Sequence, residues 1–311
     1  IYNYKMLRRE LESLGYQFRT QSDSEVILHG YAAWGADCAK RFNGMFAFAL
    51  WDKQRQVLFL ARDRFGVKPL YYTHLGHFFL FGSEVKAMLA HPACKAQLDK
   101  EALLEYFTFQ NFFTDRTLFA GVHLLPAGST LTVALGTQTH STPQRYWDYD
   151  FSEPETQCDE REYVEELDRL FRQAVNRQLI SDVDVGAYLS GGMDSGSITA
   201  VAAKQLPYLK TFTCGFDLHS ASGLEMGFDE REKAEYMSYL FKTEHYEMVL
   251  KAGDMERVLP RLAWHLEEPR VGQSYPNFYA SQLASKFVKV VLSGGGGDEL
   301  FGGYPWRYYR A

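Results

Sequence analysis

The spacing of apolar residues predicts two helices at the start of the chain. Leucines recur at intervals of four and three from Leu7 to Leu14, which is the stripe of an amphipathic helix. The run "SDSEVILHGYAAWG" predicts a second helix that begins after Ser22 and ends at Gly35. Glu25 follows Ser22 by three residues, so we expect the two side chains to form a capping box.

Short aromatic runs predict an antiparallel sheet in the remainder of the first half. Four of them, separated by turn-sized polar pieces, read "MFAFALWD", "QVLFLARD", "LYYTH" and "HFFLFGS". A helix is predicted from Asp99 to Phe107, and "STLTVALGTQTHSTPQRYW" predicts a further hairpin that turns near Gly136. Residues 148–158 are polar and acidic with one proline, so they indicate a linker.

Strands and helices alternate beyond that linker. A long helix from Asp159 to Leu179 precedes the predicted strand "VGAYL", and the strands "KTFTCGF", "HYEMVL" and "VKVVL" follow with helices between them. This alternation predicts a parallel sheet covered on both faces. Ligands of such sheets bind beyond the carboxyl ends of the strands, so the loops there are the first candidates for a site.

Composition and charge narrow the class of partner. The 311 residues carry a net charge of −6, which argues against a nucleic-acid or anionic-membrane partner. The four cysteines, Cys38, Cys94, Cys158 and Cys214, lie far apart without a CxxC pair, so neither a zinc site nor a disulfide scaffold is indicated. Without a signal peptide or a long apolar run, we expect a cytoplasmic protein with small-molecule ligands.

The loop after "VGAYL" has the composition of a phosphate-binding loop. It reads "SGGMDS" over residues 190–195 and leads into a helix whose first turn is made of small residues. Glycines let a backbone approach a ligand closely, and the N–H groups at a helix start favour an anion. The spacing matches neither the P-loop nor the dinucleotide fingerprint, and no lysine follows the glycines. A plain strand-to-helix turn is the alternative.

A second glycine loop repeats this pattern and adds a carboxylate. In "VVLSGGGGDELFGG", Ser293 and Gly294 follow a β-branched strand and Asp298 precedes a short predicted helix. An aspartate that faces a polyphosphate repels it unless a hard cation lies between them, so we expect Asp194 and Asp298 to share Mg²⁺. The alternative is that Asp194 is an N-cap and Asp298 opens the next helix.

These motifs resemble a known family over essentially the whole chain. "SGGMDS" looks like the Ser-Gly-Gly-x-Asp-Ser motif of the PP-loop ATP pyrophosphatases. With "VVLSGGGGDELFGGYPWRY" and "FDEREKAEYM", it resembles the synthetase domain of the glutamine-hydrolysing asparagine synthetases. "FNGMFAFALWDKQRQVLFLARDRFGVKPLYY" resembles the class II glutamine amidotransferase domain of the same family.

The resemblance implies a fold class and domain limits. Residues 1–147 are expected to form an α+β antiparallel sandwich of the N-terminal-nucleophile amidotransferase type. Residues 159–311 are expected to form an α/β parallel-sheet PP-loop domain that binds ATP, with residues 148–158 as the linker.

The resemblance also implies roles for individual residues. Asp23 matches the carboxylate that binds the α-ammonium of glutamine, although an acidic residue in a first helical turn is also favoured by the helix dipole. The implied ATP site comprises Leu189, Ser190, Gly191, Gly192, Asp194, Ser195, Cys214, Ser293 and Gly294. Leu189 and Cys214 lie beside the adenine in this assignment, whereas by residue type alone they are plain core.

A cationic cluster in the first half allows two interpretations. Arg62, Arg64 and Lys68 surround Asp63 in "ARDRFGVKPLYY" and could form an anion site. We favour a structural role at the domain boundary, in which Gly66 and Pro69 shape the turn and the charges pair locally with Asp63.

The implied chemistry is the ATP-dependent amidation of aspartate through β-aspartyl-AMP, with ammonia from glutamine and with AMP and pyrophosphate as products. ATP and Mg²⁺ are the expected cofactors, aspartate and glutamine the substrates, and a homodimer is an open alternative. Three other functions also stay open: a β-lactam synthetase, an amidotransferase for another carboxylate, and a non-catalytic ATP-binding module.

The chain departs from the family pattern at both ends and at two positions within the sequence. It begins at Ile1 rather than at the N-terminal cysteine of the family's glutaminase, and it stops soon after the second glycine loop, so we expect a fragment that lacks both ends. No catalytic residue is therefore assigned. Gly295 stands where the family commonly has an acidic residue, and Arg270 in "EEPRVGQS" stands where an apolar residue is common.

Overall fold

Two compact units make up the chain in a computed structural model, which describes residues 1–134, 141–152, 159–220, 229–270 and 274–303 together with Gly223 and Gly227. Unit 1 comprises Ile1–Glu155 and Leu266–Arg270, and unit 2 comprises Thr156–His265 and Val271–Ala311. Nothing in the sequence predicts that residues 266–270 group with the first unit.

Unit 1 combines short helices with antiparallel strands. Its helices are α1 Tyr4–Ser13, α2 Asp23–Trp34, α3 Cys38–Arg41, α4 Val85–Leu89 and α5 Lys100–Phe109, with a 3₁₀ turn at Gly35–Asp37. Its strands are β1 Ala47–Asp52, β2 Val57–Arg62, β3 Tyr71–Leu75, β4 Phe78–Gly82, β5 His123–Leu124, β6 Ser129–Ala134 and β7 Gln144–Arg145.

These strands form two antiparallel sheets, with the orders β1-β2-β6-β7 and β4-β3-β5. The predicted hairpins β1–β2 and β3–β4 are confirmed, with Asp52 opposite Val57 and Leu75 opposite Phe78. Strand β6 pairs with β7 as the third hairpin predicts, whereas the turn near Gly136 lies outside the described residues.

The side chains of the two sheets alternate between layers. Leu60 and Leu131 of the first sheet pack with Tyr72 of the second. On the outer face of the first sheet, Phe59 packs with residues of α1, α2 and α3, and on the outer face of the second, Tyr71 packs with residues of α4. The layers therefore run helix, sheet, sheet, helix, which confirms the predicted α+β sandwich.

The start of α2 only partly follows the predicted capping box. The Ser22 hydroxyl accepts a hydrogen bond from the Ser24 N–H at 3.1 Å and is the predicted cap. The Glu25 carboxylate does not return to Ser22. It accepts from the N–H groups of Arg19 and Thr20, each at 2.8 Å, and the bonds from Thr20 and Arg19 lower its pKa to about 2. The prediction of a capping box is therefore wrong, because the chain before the helix folds back onto the Glu25 carboxylate.

Arg62 and Asp63 organise the loop between β2 and β3 through backbone groups. The Arg62 guanidinium is buried and donates to three carbonyls, those of Lys68, Leu125 and Gly66, at 2.8, 2.6 and 2.6 Å. The Asp63 carboxylate is fully buried and accepts from four N–H groups, those of Phe46, Phe65, Val67 and Lys68. Arg62 and Asp63 therefore have a structural role, but the predicted local pairing of the cationic side chains with Asp63 is wrong, because the charged groups of Arg62 and Asp63 bond to the backbone instead.

Unit 2 alternates helices and strands as predicted. After residue 159 the helices are α6 Glu160–Gln178, α7 Met193–Gln205, α8 Arg231–Phe241, α9 Asp254–Leu266, α10 Ser274–Ala284 and α11 Gly297–Phe301. The strands are β8 Val185–Tyr188, β9 Lys210–Phe216, β10 Glu244–Leu250 and β11 Val290–Leu292. Of the helices in the described part of the chain, none has the length and hydropathy that crossing a bilayer requires.

The four strands in the described part of unit 2 are parallel, in the order β10-β9-β8-β11. Ala187 of β8 packs on one face with α6 and α7, and Phe212 of β9 packs on the other face with α10. This covered parallel sheet confirms the predicted α/β class. Because β8 and β11 are neighbours, the two glycine loops that follow them leave the sheet side by side.

Candidate functional site

The two glycine loops meet at Asp194. This aspartate lies in the first turn of α7, and the backbone of the second loop packs directly on it. A Cβ atom added at Gly294 would lie 3.0 Å from the Cβ of Asp194, and one added at Gly297 would lie 2.3 Å from its Oδ2. Only glycine leaves room for this approach, so the second loop is built around the Asp194 side chain.

Hydroxyl groups tie the first loop to the start of α7. The Ser190 N–H donates to the Ser195 hydroxyl at 3.1 Å, and the two hydroxyls lie 3.0 Å apart. The Gly192 N–H donates to the Ser190 hydroxyl at 3.3 Å. These bonds hold the loop closed around the N-terminus of a 13-residue helix, which attracts an anion.

Helix α8 supports the same loop from the side. Gly191 has a φ of +79°, and a Cβ atom there would lie 2.4 Å from the Cβ of Lys233. The position therefore requires glycine for its conformation and for its contact. The loop itself contains no lysine, but helix α8 brings Lys233 beside it.

The two candidate metal ligands have different surroundings. Gly192 is the N-cap of α7, so Asp194 is not the N-cap that the alternative interpretation requires. Asp298 is the second residue of α11, and its carboxylate lies against Gly303, where an added Cβ would be 1.9 Å from Oδ1. The described residues contain no group of three or more His, Cys, Asp or Glu side chains that could hold a metal ion.

A cavity of about 100 Å³ in unit 2 joins three of the predicted ATP-binding residues, Leu189, Ser190 and Cys214. Leu189 is fully buried. The Cys214 thiol donates to the Pro276 carbonyl at 3.5 Å, and burial raises its pKa to about 12, so it is a neutral wall of the cavity.

Glu230 lines this cavity too, and its role was not predicted. Burial raises the pKa of the Glu230 carboxyl, and the nearby Lys233 charge and Ser190 hydroxyl offset the rise only in part. The nearest signal in the sequence is the segment "FDEREKAEYM", which contributes to the family resemblance without identifying a role for this glutamate.

Unit 1 contains a second pocket, of about 420 Å³, beside Asp23. Asp23 and Lys68 are the two charged side chains among its lining residues, and the others include Ile27, Met45 and Phe48. Asp23 therefore supplies a negative charge at the wall of this pocket.

Comparison with known families defines the class of protein. Residues 1–147 match the model of the glutamine amidotransferase domain, and residues 166–311 match that of asparagine synthase. The two matches follow each other along the chain in the order that the sequence motifs predict.

Curated relatives identify the family. Over 98% of its length the chain is 38% identical to asparagine synthetase [glutamine-hydrolyzing] 3 and 39% identical to asparagine synthetase [glutamine-hydrolyzing] 1, both of Bacillus subtilis (strain 168), of which it covers 51% and 46%. It is 36% identical to a putative asparagine synthetase [glutamine-hydrolyzing] 2 of Methanocaldococcus jannaschii and covers 57% of that protein. The chain belongs to the family of glutamine-hydrolysing asparagine synthetases, as predicted. It spans about half the length of the curated relatives it matches.

Proposed function

We propose that the chain provides the glutamine-binding and ATP-binding parts of an enzyme that converts aspartate to asparagine. The reaction is an ATP-dependent amidation with ammonia from glutamine, and it gives AMP and pyrophosphate. The observation that carries the proposal is the meeting of two glycine loops at Asp194, at the carboxyl ends of two adjacent parallel strands.

The ATP half uses this arrangement to transfer an adenylyl group. A side-chain carboxylate oxygen of aspartate attacks the α-phosphorus, the bond to the bridging oxygen breaks, and pyrophosphate leaves with that electron pair. The N–H groups of residues 190–195 stabilise the charge that develops on the pyrophosphate. Ammonia then attacks the acyl carbon of β-aspartyl-AMP, loses a proton, and displaces AMP.

Asp194 and Asp298 are the residues that would hold Mg²⁺ in this site. Their carboxylates supply hard oxygen ligands, and the nucleotide phosphates supply others. The ion supplies positive charge that offsets the charge of the phosphates when it is bound.

The other half binds glutamine in the pocket beside Asp23. Asp23 contributes the carboxylate among the lining residues of this pocket, and a carboxylate is the partner that the α-ammonium of glutamine requires. The nucleophile is not Cys38, Cys94 or Cys214, because burial raises the pKa of each thiol. Free thiols at these three positions suit a reducing compartment, so we place the protein in the cytoplasm, and a homodimer stays a prediction.

The exchange of labelled pyrophosphate into ATP tests the adenylation step. We expect exchange that requires both Mg²⁺ and aspartate, that Asp194→Asn abolishes, and that the exposed control Asp182→Asn retains. Exchange supported only by another carboxylate would contradict the assignment of aspartate. ATP binding without exchange under any of these conditions would instead indicate a module that holds the nucleotide without turnover.

A further inference from the structure

Glu230 places a carboxyl group inside a cavity that is otherwise suited to a nucleotide. It shares the cavity with Leu189 and Cys214, the residues proposed beside the adenine, and with Ser190, the first residue of the phosphate loop. The carboxyl therefore lies between the base end and the phosphate end of the proposed site.

The position of Glu230 is fixed by its neighbours. The Arg231 guanidinium binds the Asp229 carboxylate at 2.8 Å and the Phe216 carbonyl at 2.9 Å. The Asp229 carboxylate in turn accepts from the Phe216 N–H at 3.0 Å. These bonds fasten the start of α8 to the carboxyl end of β9, so Glu230 is held by rigid elements rather than by a free loop.

Chemistry restricts what a carboxyl in this place can contact. The phosphates are anionic and repel a carboxylate, and the Leu189 and Cys214 side chains offer apolar contacts to the base. The ribose hydroxyls lie between base and phosphates and are neutral hydrogen-bond donors, which a carboxylate accepts well. Recognition of a ribose diol by a carboxylate is established in another nucleotide-binding fold.

We propose that Glu230 accepts hydrogen bonds from the ribose hydroxyls of bound ATP and makes the site selective for ribonucleotides. This inference rests on the proposed function, since it takes ATP as the ligand. Glu230 is then a specificity-determining residue.

The test compares the dissociation constants of ATP, 2′-deoxy-ATP and 3′-deoxy-ATP in the presence of Mg²⁺, measured by calorimetry on the unaltered chain and its variants. We expect the unaltered chain to prefer ATP over at least one deoxy analogue by about tenfold to a hundredfold, the value of a hydrogen bond to a charged group. In Glu230→Ala the ratio of the dissociation constants of the deoxy analogue and ATP falls to about one, and in Glu230→Gln it falls to an intermediate value. Glu232→Gln, at an exposed neighbour on the same helix, keeps the preference of the unaltered chain.

Each other outcome has a defined meaning. A preference that survives in Glu230→Ala overturns the inference and leaves the proposed function intact. Equal losses of affinity for ATP and both analogues, with a shifted Mg²⁺ requirement, would make Glu230 a metal ligand and also overturn it. If the unaltered chain binds no ATP, the proposed function and the inference both fail. Circular dichroism of the variants separates loss of binding from loss of folding.

Discussion

The backbone of Gly297 lies against the carboxylate of Asp194, close enough that an added Cβ atom would be 2.3 Å from Oδ2. The two residues belong to different loops, which the parallel pairing of β8 with β11 brings together at one edge of the sheet. A methyl group at residue 297 could not turn away from this carboxylate, so either Asp194 or the second loop would have to move. The geometry of the phosphate loop therefore depends on a glycine more than a hundred residues further along the chain.

Gly297→Ala is expected to displace Asp194 and weaken binding of MgATP. The added methyl group forces either the loop or the carboxylate to move, and overpacking of this kind costs about 1–3 kcal/mol. We expect the dissociation constant for MgATP, measured by calorimetry, to rise by about tenfold or more. Gly295→Ala is the matched control, because a Cβ there meets only the Ser293 hydroxyl oxygen at 3.5 Å. Equal affinities in the two variants would contradict the role given to Gly297.

Comparing Gly191→Ala with a control variant separates two causes of lost stability: the contact with Lys233 and the positive φ of the backbone. A non-glycine residue at a φ of +79° costs about 1–2 kcal/mol, and the contact with Lys233 adds an overpacking cost of about 1–3 kcal/mol. Gly253→Ala is the control, because Gly253 has a similar φ of +82° with nothing within 4 Å of the added Cβ. The free energy of unfolding of unit 2, from urea titration, should fall more in Gly191→Ala. The steric argument fails if both variants lose the same amount.

Local pattern predicted most of the fold. The helix predicted from Asp159 to Leu179 is observed at Glu160–Gln178, and the strand predicted as "KTFTCGF" is observed at Lys210–Phe216. These elements are specified by residues within one segment, through apolar periodicity and a capping side chain. The two glycine loops were predicted for the same reason, because each follows its own strand directly in the sequence.

Contacts made across long stretches of sequence were not predictable in this way. Glu230 and Lys233 reach the phosphate loop only because α8 packs beside it, and no periodicity encodes that packing. The capping box failed similarly, since Glu25 has better partners in the chain that folds back before α2. Helix α4 receives its cap from Glu267, 182 residues beyond Val85, and no pattern in either segment indicates it.

The cap from Glu267 gives a prediction about that helix. The N-cap residue of α4, Glu84, makes no capping bond with its own side chain, and the Glu267 carboxylate accepts from the N–H groups of Val85 and Lys86 at 2.7 Å each. Glu267→Ala leaves both donors without this partner, so we expect hydrogen exchange in Val85–Leu89 to be accelerated by an amount equivalent to about 1–2 kcal/mol. Glu84→Gln alters a carboxylate that lies 2.9 Å from Lys86 but caps no N–H, and it should leave that exchange unchanged. Unaltered protection in Glu267→Ala would show that α4 is stabilised by packing alone.

The raised pKa of the Cys38 thiol predicts that unit 1 loses stability at alkaline pH. Burial raises its pKa from 9.0 to about 12 in the folded chain. The unfolded thiol ionises first as the pH rises, so this contribution to stability is complete below about pH 9 and is lost progressively toward pH 12. Each unit of pKa difference corresponds to about 1.4 kcal/mol, so the loss attributable to Cys38 reaches about 4 kcal/mol only once the pH passes the folded-state pKa of about 12.

Cys38→Ala should therefore flatten the alkaline pH dependence of the unfolding free energy of unit 1, measured by urea titration at a series of pH values. Removing the sulfur atom also destabilises the variant by an amount that does not depend on pH. The result is therefore read from the slope of the unfolding free energy against pH and not from its absolute value. Cys214→Ala is the control, because that thiol has a similarly raised pKa but lies in unit 2. Its substitution should leave the slope of unit 1 as it is. If Cys38→Ala retains the full slope, the alkaline sensitivity of unit 1 belongs to its buried tyrosines, among which Tyr71 and Tyr72 also have pKa values raised to about 12 by burial.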